Sequence, residues 1–169
     1  ATRQQMGDAA VAAARAVQYT NAGTVEFLYS PTDASFYFLE VNTRLQVEHP
    51  VTEEVTGLDL VRLQLEVAQG LPLNIGDVTT TGHAIECRIC AEDAENNFFP
   101  ATGEILLYKE STLKGLRFDS GVQTGSKVDV FYDSMLTKVI AYGETRTEAI
   151  QKMDYALQHY TILGITPNK

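Results

Sequence analysis

Thr24-Val25-Glu26-Phe27-Leu28-Tyr29 and Phe36-Tyr37-Phe38-Leu39-Glu40-Val41 flank the turn-forming stretch Ser30-Pro31-Thr32-Asp33-Ala34-Ser35. Both flanks are rich in β-branched and aromatic residues, so the segment predicts a β-hairpin. Pairing Ser30 with Phe36 sets Leu28 opposite Phe38 and Glu26 opposite Glu40, while Val25, Phe27 and Tyr29 meet Val41, Leu39 and Tyr37. This register keeps one face wholly apolar or aromatic, and a one-residue slip would mix the two faces.

Like charges directly opposite one another destabilise a sheet unless something positive lies between them. A divalent metal ion suits Glu26 and Glu40, and Asn42, two residues beyond Glu40, adds a neutral oxygen. Carboxylates with an amide carbonyl fit Mg²⁺ or Mn²⁺, which complete their coordination with phosphates and water. The plainer alternative is a solvent-facing sheet surface. Leu28 and Phe38 on the same face favour a partly enclosed site.

Beyond the hairpin, Arg44, Gln46 and Glu48 recur at every second position, so an extended chain aims all three the same way. A guanidinium fork and an amide can hold a small planar oxyanion, and a carboxylate beside them can take its proton. A solvated edge strand could carry the same alternation. His49, before Pro50, reads as a structural residue bonded to backbone rather than as a catalyst.

Arg88 lies in a strand with Glu86 two residues back on the same face. The pair is either a structural ion pair or a device that holds the guanidinium ready for an anion formed during reaction. In that strand Cys87 and Cys90 form a CxxC, but positions three apart point to opposite faces and no second Cys or His pair lies nearby, so they read as structural thiols.

Upstream, Met6, Ala10, Ala13 and Val17 share a helical face within residues 3–19. Downstream, Pro50 fits the first turn of a short helix whose positive end suits Glu53 and Glu54, and Thr56 with Asp59 reads as a capping box opening a helix from Leu58 to about Gln69. From Gly82 the texture changes to strands, at residues 83–90, 103–109, 116–119 and 135–142, followed by a helix at 147–160 with Ile150, Met153, Ala156, Leu157 and Tyr160 inward. A boundary near residues 70–82 separates an α/β piece from a mainly antiparallel one.

The totals exclude several classes. The 169 residues are 44% hydrophobic and 21% charged, within the globular range. A net charge of −9, with its six lysines scattered, argues against a nucleic-acid or anionic-lipid partner. No apolar run approaches the roughly 20 residues that span a bilayer, which predicts a soluble intracellular protein.

These residues resemble a known signature. Gly23 to Phe27, Phe36 to Glu53, Gly57 to Val61, Gly82 to Arg88, Ala91 to Asp93, Phe98 to Pro100, Tyr132 to Met135 and Gly164 to Asn168 closely resemble biotin carboxylases, the ATP-grasp components of biotin-dependent carboxylases. The resemblance implies an α+β chain: residues 1–75 as the end of an ATP-grasp domain, a hairpin plus helices, then 76–169 as a truncated, mainly antiparallel biotin carboxylase C-terminal domain with a helix.

Carried over by residue, the resemblance implies that Glu26, Glu40 and Asn42 bind the Mg²⁺ (or Mn²⁺) that bridges the ATP phosphates, with Leu28 against the adenine. Arg44, Gln46 and the backbone of Val47 would hold bicarbonate, Glu48 would be the base that deprotonates it, and Arg88 would stabilise the enolate-like biotin anion. The reaction implied is ATP- and bicarbonate-dependent carboxylation of biotin on a carrier protein through carboxyphosphate. The partners implied are a biotin carboxyl carrier protein or domain, a carboxyltransferase subunit and a second copy in a homodimer. The location implied is the cytoplasm, or the mitochondrial matrix in a eukaryote.

Gly82 to Glu86 and His49-Pro50 resemble the acyl-CoA carboxylases more than pyruvate carboxylase. The family's glycine-rich loop and phosphate-binding lysines would precede residue 1, so the chain reads as a C-terminal fragment inactive alone. A non-catalytic structural or dimerisation segment, or a component of a pyruvate or urea carboxylase, is the alternative.

Overall fold

The computed structural model describes residues 2–169, which form two compact units. The first comprises the described residues up to His49 together with Leu58–Val78, and the second comprises Pro50–Gly57 and Thr79–Lys169.

In the first unit, helix α1 (Thr2–Ala16) precedes strands β1 (Thr24–Tyr29) and β2 (Phe36–Asn42). α1 half-buries Met6, Ala10 and Ala13 as expected, but ends before Val17, which is 72% exposed. The hairpin sets Val25 opposite Val41 and Glu26 opposite Glu40. Past Glu26 the expected register fails, because Leu39 is an extra residue on β2. Phe27 then faces Phe38, Leu28 faces Tyr37 and Tyr29 faces Phe36. Aromatic packing accounts for this bulge: Phe27 makes edge-on contacts with Phe36 and Phe38, at centroid distances of 5.4 and 6.4 Å, which an unbulged register would not bring to one face.

Helix α2 (His49–Thr56) begins in the first unit at His49 and continues in the second, and α3 (Leu60–Ala68) belongs to the first. The expected capping box at Thr56 is corrected. Asp59 is itself the N-cap, accepting from the Arg62 N–H at 2.8 Å, whereas Thr56 Oγ1 donates to Thr52 O within α2. Glu53 is likewise not a helix-end charge. It is 8% exposed and pairs with Arg117.

The second unit continues through β3 (His83–Cys90), β4 (Glu92–Asp93), β5 (Phe99–Pro100), β6 (Gly103–Glu104), β7 (Leu107–Lys109), β8 (Leu116–Ser120), β9 (Lys127–Val128), β10 (Met135–Gly143), α4 (Arg146–His159) and β11 (Thr161–Leu163). Among the described residues every strand pairing is antiparallel. The strand expected at 103–109 is two, because the chain changes partner at the fully buried Ile105: β6 pairs with β9 and β7 with β11.

The central sheet, in the order β3-β10-β8, has two unlike faces. One carries Ile85, Cys87, Ile89, Val139, Ala141 and Phe118 and packs with α4 through Met153, Ala156 and the following Tyr160. Ala149 is the buried residue of the first turns of α4, and Ile150, expected inward, is 42% exposed. The other face is polar, with Arg117 bonded to Asp119 at 2.8 Å and to Glu53 of α2 at 2.7 Å, and Lys138 reaching Asp119 at 3.4 Å.

Burial alone would raise the Asp119 pKa from its ordinary value of 3.8, but the hydrogen bonds and charges of Arg117 and Lys138 outweigh it and lower it. A depressed carboxylate contributes stability that is full above its unfolded pKa and lost as pH falls through the folded one. In urea titrations at pH 7 and below pH 3.8, Asp119→Asn is therefore expected to cost stability at pH 7 and to lose less than the parent protein on acidification. Equal acid sensitivity in both would show that Asp119 does not carry this dependence.

Candidate functional site

The pleat that sets Glu26 opposite Glu40 also places Asn42 on the same side of β2, where its amide Nδ2 donates to Glu26 Oε1 at 2.6 Å and more weakly to Glu40 Oε1 at 3.4 Å. Glu26 and Asn42 are half-buried and Glu40 is exposed. Leu28, on the same side of β1 as Glu26, is 65% exposed, so within this unit the two carboxylates lie on an open face. Phe38 is not their neighbour in the ladder, since the bulge moves it opposite Phe27.

The donor set fits a hard divalent cation. Two facing carboxylates supply the charge, and an amide shares both. As the hairpin stands, nitrogen faces the carboxylates while Asn42 Oδ1 accepts from Arg44 Nη2 at 3.1 Å. A half-turn of the amide would exchange them, presenting oxygen to a cation and releasing Arg44 from its acceptor.

From Asn42 the network continues along the extended segment. Arg44 Nη1 donates to Gln46 Oε1 at 3.0 Å and to the Leu45 carbonyl at 3.3 Å. Arg44 and Glu48 are exposed, and Gln46 and Val47 half-buried. His49 closes the segment structurally: its N–H donates to Gln46 O at 3.3 Å, and its Nδ1 lies 2.8 Å from the same carbonyl. Glu26, Glu40, Asn42, Arg44 and Gln46 thus form one hydrogen-bonded chain on the first unit. A row able to grip an oxyanion follows directly from a pair able to hold a cation.

Arg88 belongs to the second unit, exposed on the polar face of the central sheet. Its cross-strand neighbour is Lys138, which in turn faces Asp119 on β8. Lys138 leaves no local pattern in the sequence, because that register joins residues about fifty positions apart and depends on a shift between Met135 and Thr137. Cys87 and Cys90 are both free, and burial first of all pushes their thiols up from the ordinary value, which disfavours thiolate chemistry.

Residues 1–76 match the model of the carbamoyl-phosphate synthase L chain, ATP binding domain, and residues 86–169 match that of the biotin carboxylase C-terminal domain. The chain is 53% identical over 165 residues to biotin carboxylase 1 of Bacillus subtilis, covering 96% of this chain and 37% of the relative. It is 52% identical over 171 residues to the mitochondrial propionyl-CoA carboxylase alpha chain of Homo sapiens, covering 99% of this chain and 23% of the relative. Among solved structures, the biotin carboxylase domain dimer of the Hydrogenobacter thermophilus 2-oxoglutarate carboxylase, in complex with MgADP, ADP and bicarbonate, superposes with a TM-score of 0.91 at 37% identity, covering 98% of this chain and 37% of that one. The chain accordingly spans about a third or less of the length of these proteins. With both family models matched in succession over nearly all its residues, the chain belongs to the biotin carboxylase family.

Proposed function

We propose that this chain supplies the cation-, bicarbonate- and biotin-facing part of a biotin carboxylase, which carboxylates biotin on a carrier protein at the expense of ATP and bicarbonate. The observation that carries the proposal is the unbroken network from Glu26 through Asn42 and Arg44 to Gln46, on a chain that matches both family models.

Glu26, Glu40 and Asn42 would hold Mg²⁺ or Mn²⁺. Such a cation, when bound, neutralises the ATP phosphates and draws off the charge of the leaving group. Leu28, on the Glu26 side of β1, would lie against the adenine. Arg44 and Gln46, with the backbone of Val47, orient bicarbonate, the guanidinium matching two of its oxygens. Glu48 removes its proton, and the resulting oxyanion attacks the γ-phosphorus, forming carboxyphosphate as the bond to ADP breaks; carboxyphosphate then splits into CO₂ and phosphate, and the phosphate takes the biotin ureido N–H proton. Arg88 stabilises the negative charge that develops on the biotin ureido group before it takes up CO₂.

Residues 1–75 are assigned to the ATP-grasp domain and 76–169 to the C-terminal domain. The parent is proposed to be an acyl-CoA carboxylase, a reading compatible with the likeness to the human propionyl-CoA carboxylase chain, with a carrier protein and a carboxyltransferase as partners. The Hydrogenobacter dimer favours a homodimer. The location proposed is the cytoplasm or, in a eukaryote, the mitochondrial matrix, the second in keeping with the mitochondrial human relative. No helix among the described residues is long and apolar enough to cross a membrane. Because the chain covers 37% of the Bacillus relative, the activity is assigned to the larger protein, and residues 1–169 alone are expected to bind ATP weakly and not to cleave it.

Glu48→Gln in the full-length enzyme is expected to lower bicarbonate-dependent ATP cleavage by about 100-fold or more, with nucleotide affinity unchanged. Turnover near the parent rate would remove Glu48 as the base. Arg88→Ala should reduce carboxylation of free biotin on the order of 100-fold while ATP cleavage without biotin persists. Equal loss of both would reject its role on the biotin anion.

A further inference from the structure

Asn168 is eighty residues from Arg88 in sequence, yet it is bonded to the backbone of the strand that carries it. The Cys90 N–H donates to Asn168 Oδ1 at 3.0 Å, the Asn168 N–H donates to the Cys90 carbonyl at 3.0 Å, and Asn168 Nδ2 donates to the Arg88 carbonyl at 3.3 Å. β3 lies at the edge of its sheet, with β10 on its other side. A single asparagine therefore does for β3 at Arg88 and Cys90 what a further strand would do.

The path to this position is built into the fold. After β11 the chain turns at Gly164, whose φ of +103° suits glycine and where a Cβ would fall 2.1 Å from the Glu104 carbonyl. Ile165 then packs against the core, and Lys169 Nζ donates to the Tyr160 carbonyl, so Asn168 is held on both sides. Arg88 and Asn168 line the same depression of about 530 Å³.

We infer that Asn168 is a positioning residue for Arg88, an inference that rests on the biotin-facing role of Arg88 proposed above. Its three hydrogen bonds hold the peptide planes on either side of Ile89 and the one that follows Cys90, and thereby the Cα–Cβ direction of Arg88. The guanidinium sits at the far end of a long, exposed side chain, so a small rotation of that backbone becomes a large displacement of the charged group. Misplacement by about 1 Å at a reacting centre costs on the order of 100-fold. Loosening one anchor is expected to cost about a tenth of that.

The test is a double-mutant cycle in the full-length enzyme, with free biotin as substrate. Asn168→Ala should lower biotin carboxylation about 10-fold, leave ATP cleavage without biotin within about twofold and speed amide exchange at Cys90. Added to Arg88→Ala, it should cause no further loss. Full activity of Asn168→Ala, an equal fall in ATP cleavage, or a multiplied loss in the double variant would each overturn the positioning role while leaving the role of Arg88 intact. If Arg88→Ala itself carboxylates biotin normally, the underlying reading of Arg88 fails, and the inference with it. Asn168→Asp serves as a second variant. It keeps the acceptor for the Cys90 N–H but sets a carboxylate oxygen against the Arg88 carbonyl, so it should reproduce the loss without the faster Cys90 exchange.

Discussion

Two carboxylates set face to face across an antiparallel pair repel, and the hairpin of the first unit is arranged around that repulsion. Glu26 and Glu40 are paired in register, immediately beside the bulge at Leu39. Asn42 offsets their repulsion by donating to both, and passes its oxygen to Arg44. An arrangement that a cation would relieve is thus tied through one amide to the guanidinium that faces the next functional group along the chain. A cation bound there would release Arg44, because an amide turned to offer oxygen to one side offers nitrogen to the other.

The second unit solves a different problem with the same economy of groups. Its central sheet buries one face against α4 and devotes the other to charge. Arg117 gathers Glu53 and Asp119, and Lys138 shares Asp119, so cations on adjacent strands are offset by partly buried carboxylates rather than left to repel. Arg88 stands at the edge of this face, carried on a strand whose outer side is held by Asn168. The apolar core supplies the rigidity and the polar face supplies the field.

Local alternation made the lower half of the hairpin legible in the sequence, since the period of two places Glu26, Glu40 and Asn42 on one side once the turn is located. The upper half was not legible. No glycine or proline marks the bulge at Leu39, and the register there is decided by how Phe27 packs against Phe36 and Phe38. Helix ends divided in the same way: Thr56 is used inside α2, where its hydroxyl donates to the Thr52 carbonyl, and Gly57, at φ +72°, follows that helix, so Asp59 caps α3. Long-range partners such as Arg117 with Glu53, or Asn168 with Arg88, leave no local pattern. The Gly164 to Asn168 stretch was recognisable by its likeness to the family, but its structural work became visible only in the edge it closes.

In the function proposed, Glu26 and Glu40 face each other to share a divalent cation. Electron paramagnetic resonance of Mn²⁺ added to the full-length enzyme with ATP tests it most directly. Bound Mn²⁺ is expected, with an affinity that falls about 10-fold or more in Glu26→Gln and in Glu40→Gln, since each removes one charged ligand. Unaltered Mn²⁺ affinity in both variants would contradict it, leaving the facing glutamates as a solvated surface pair bridged only by Asn42.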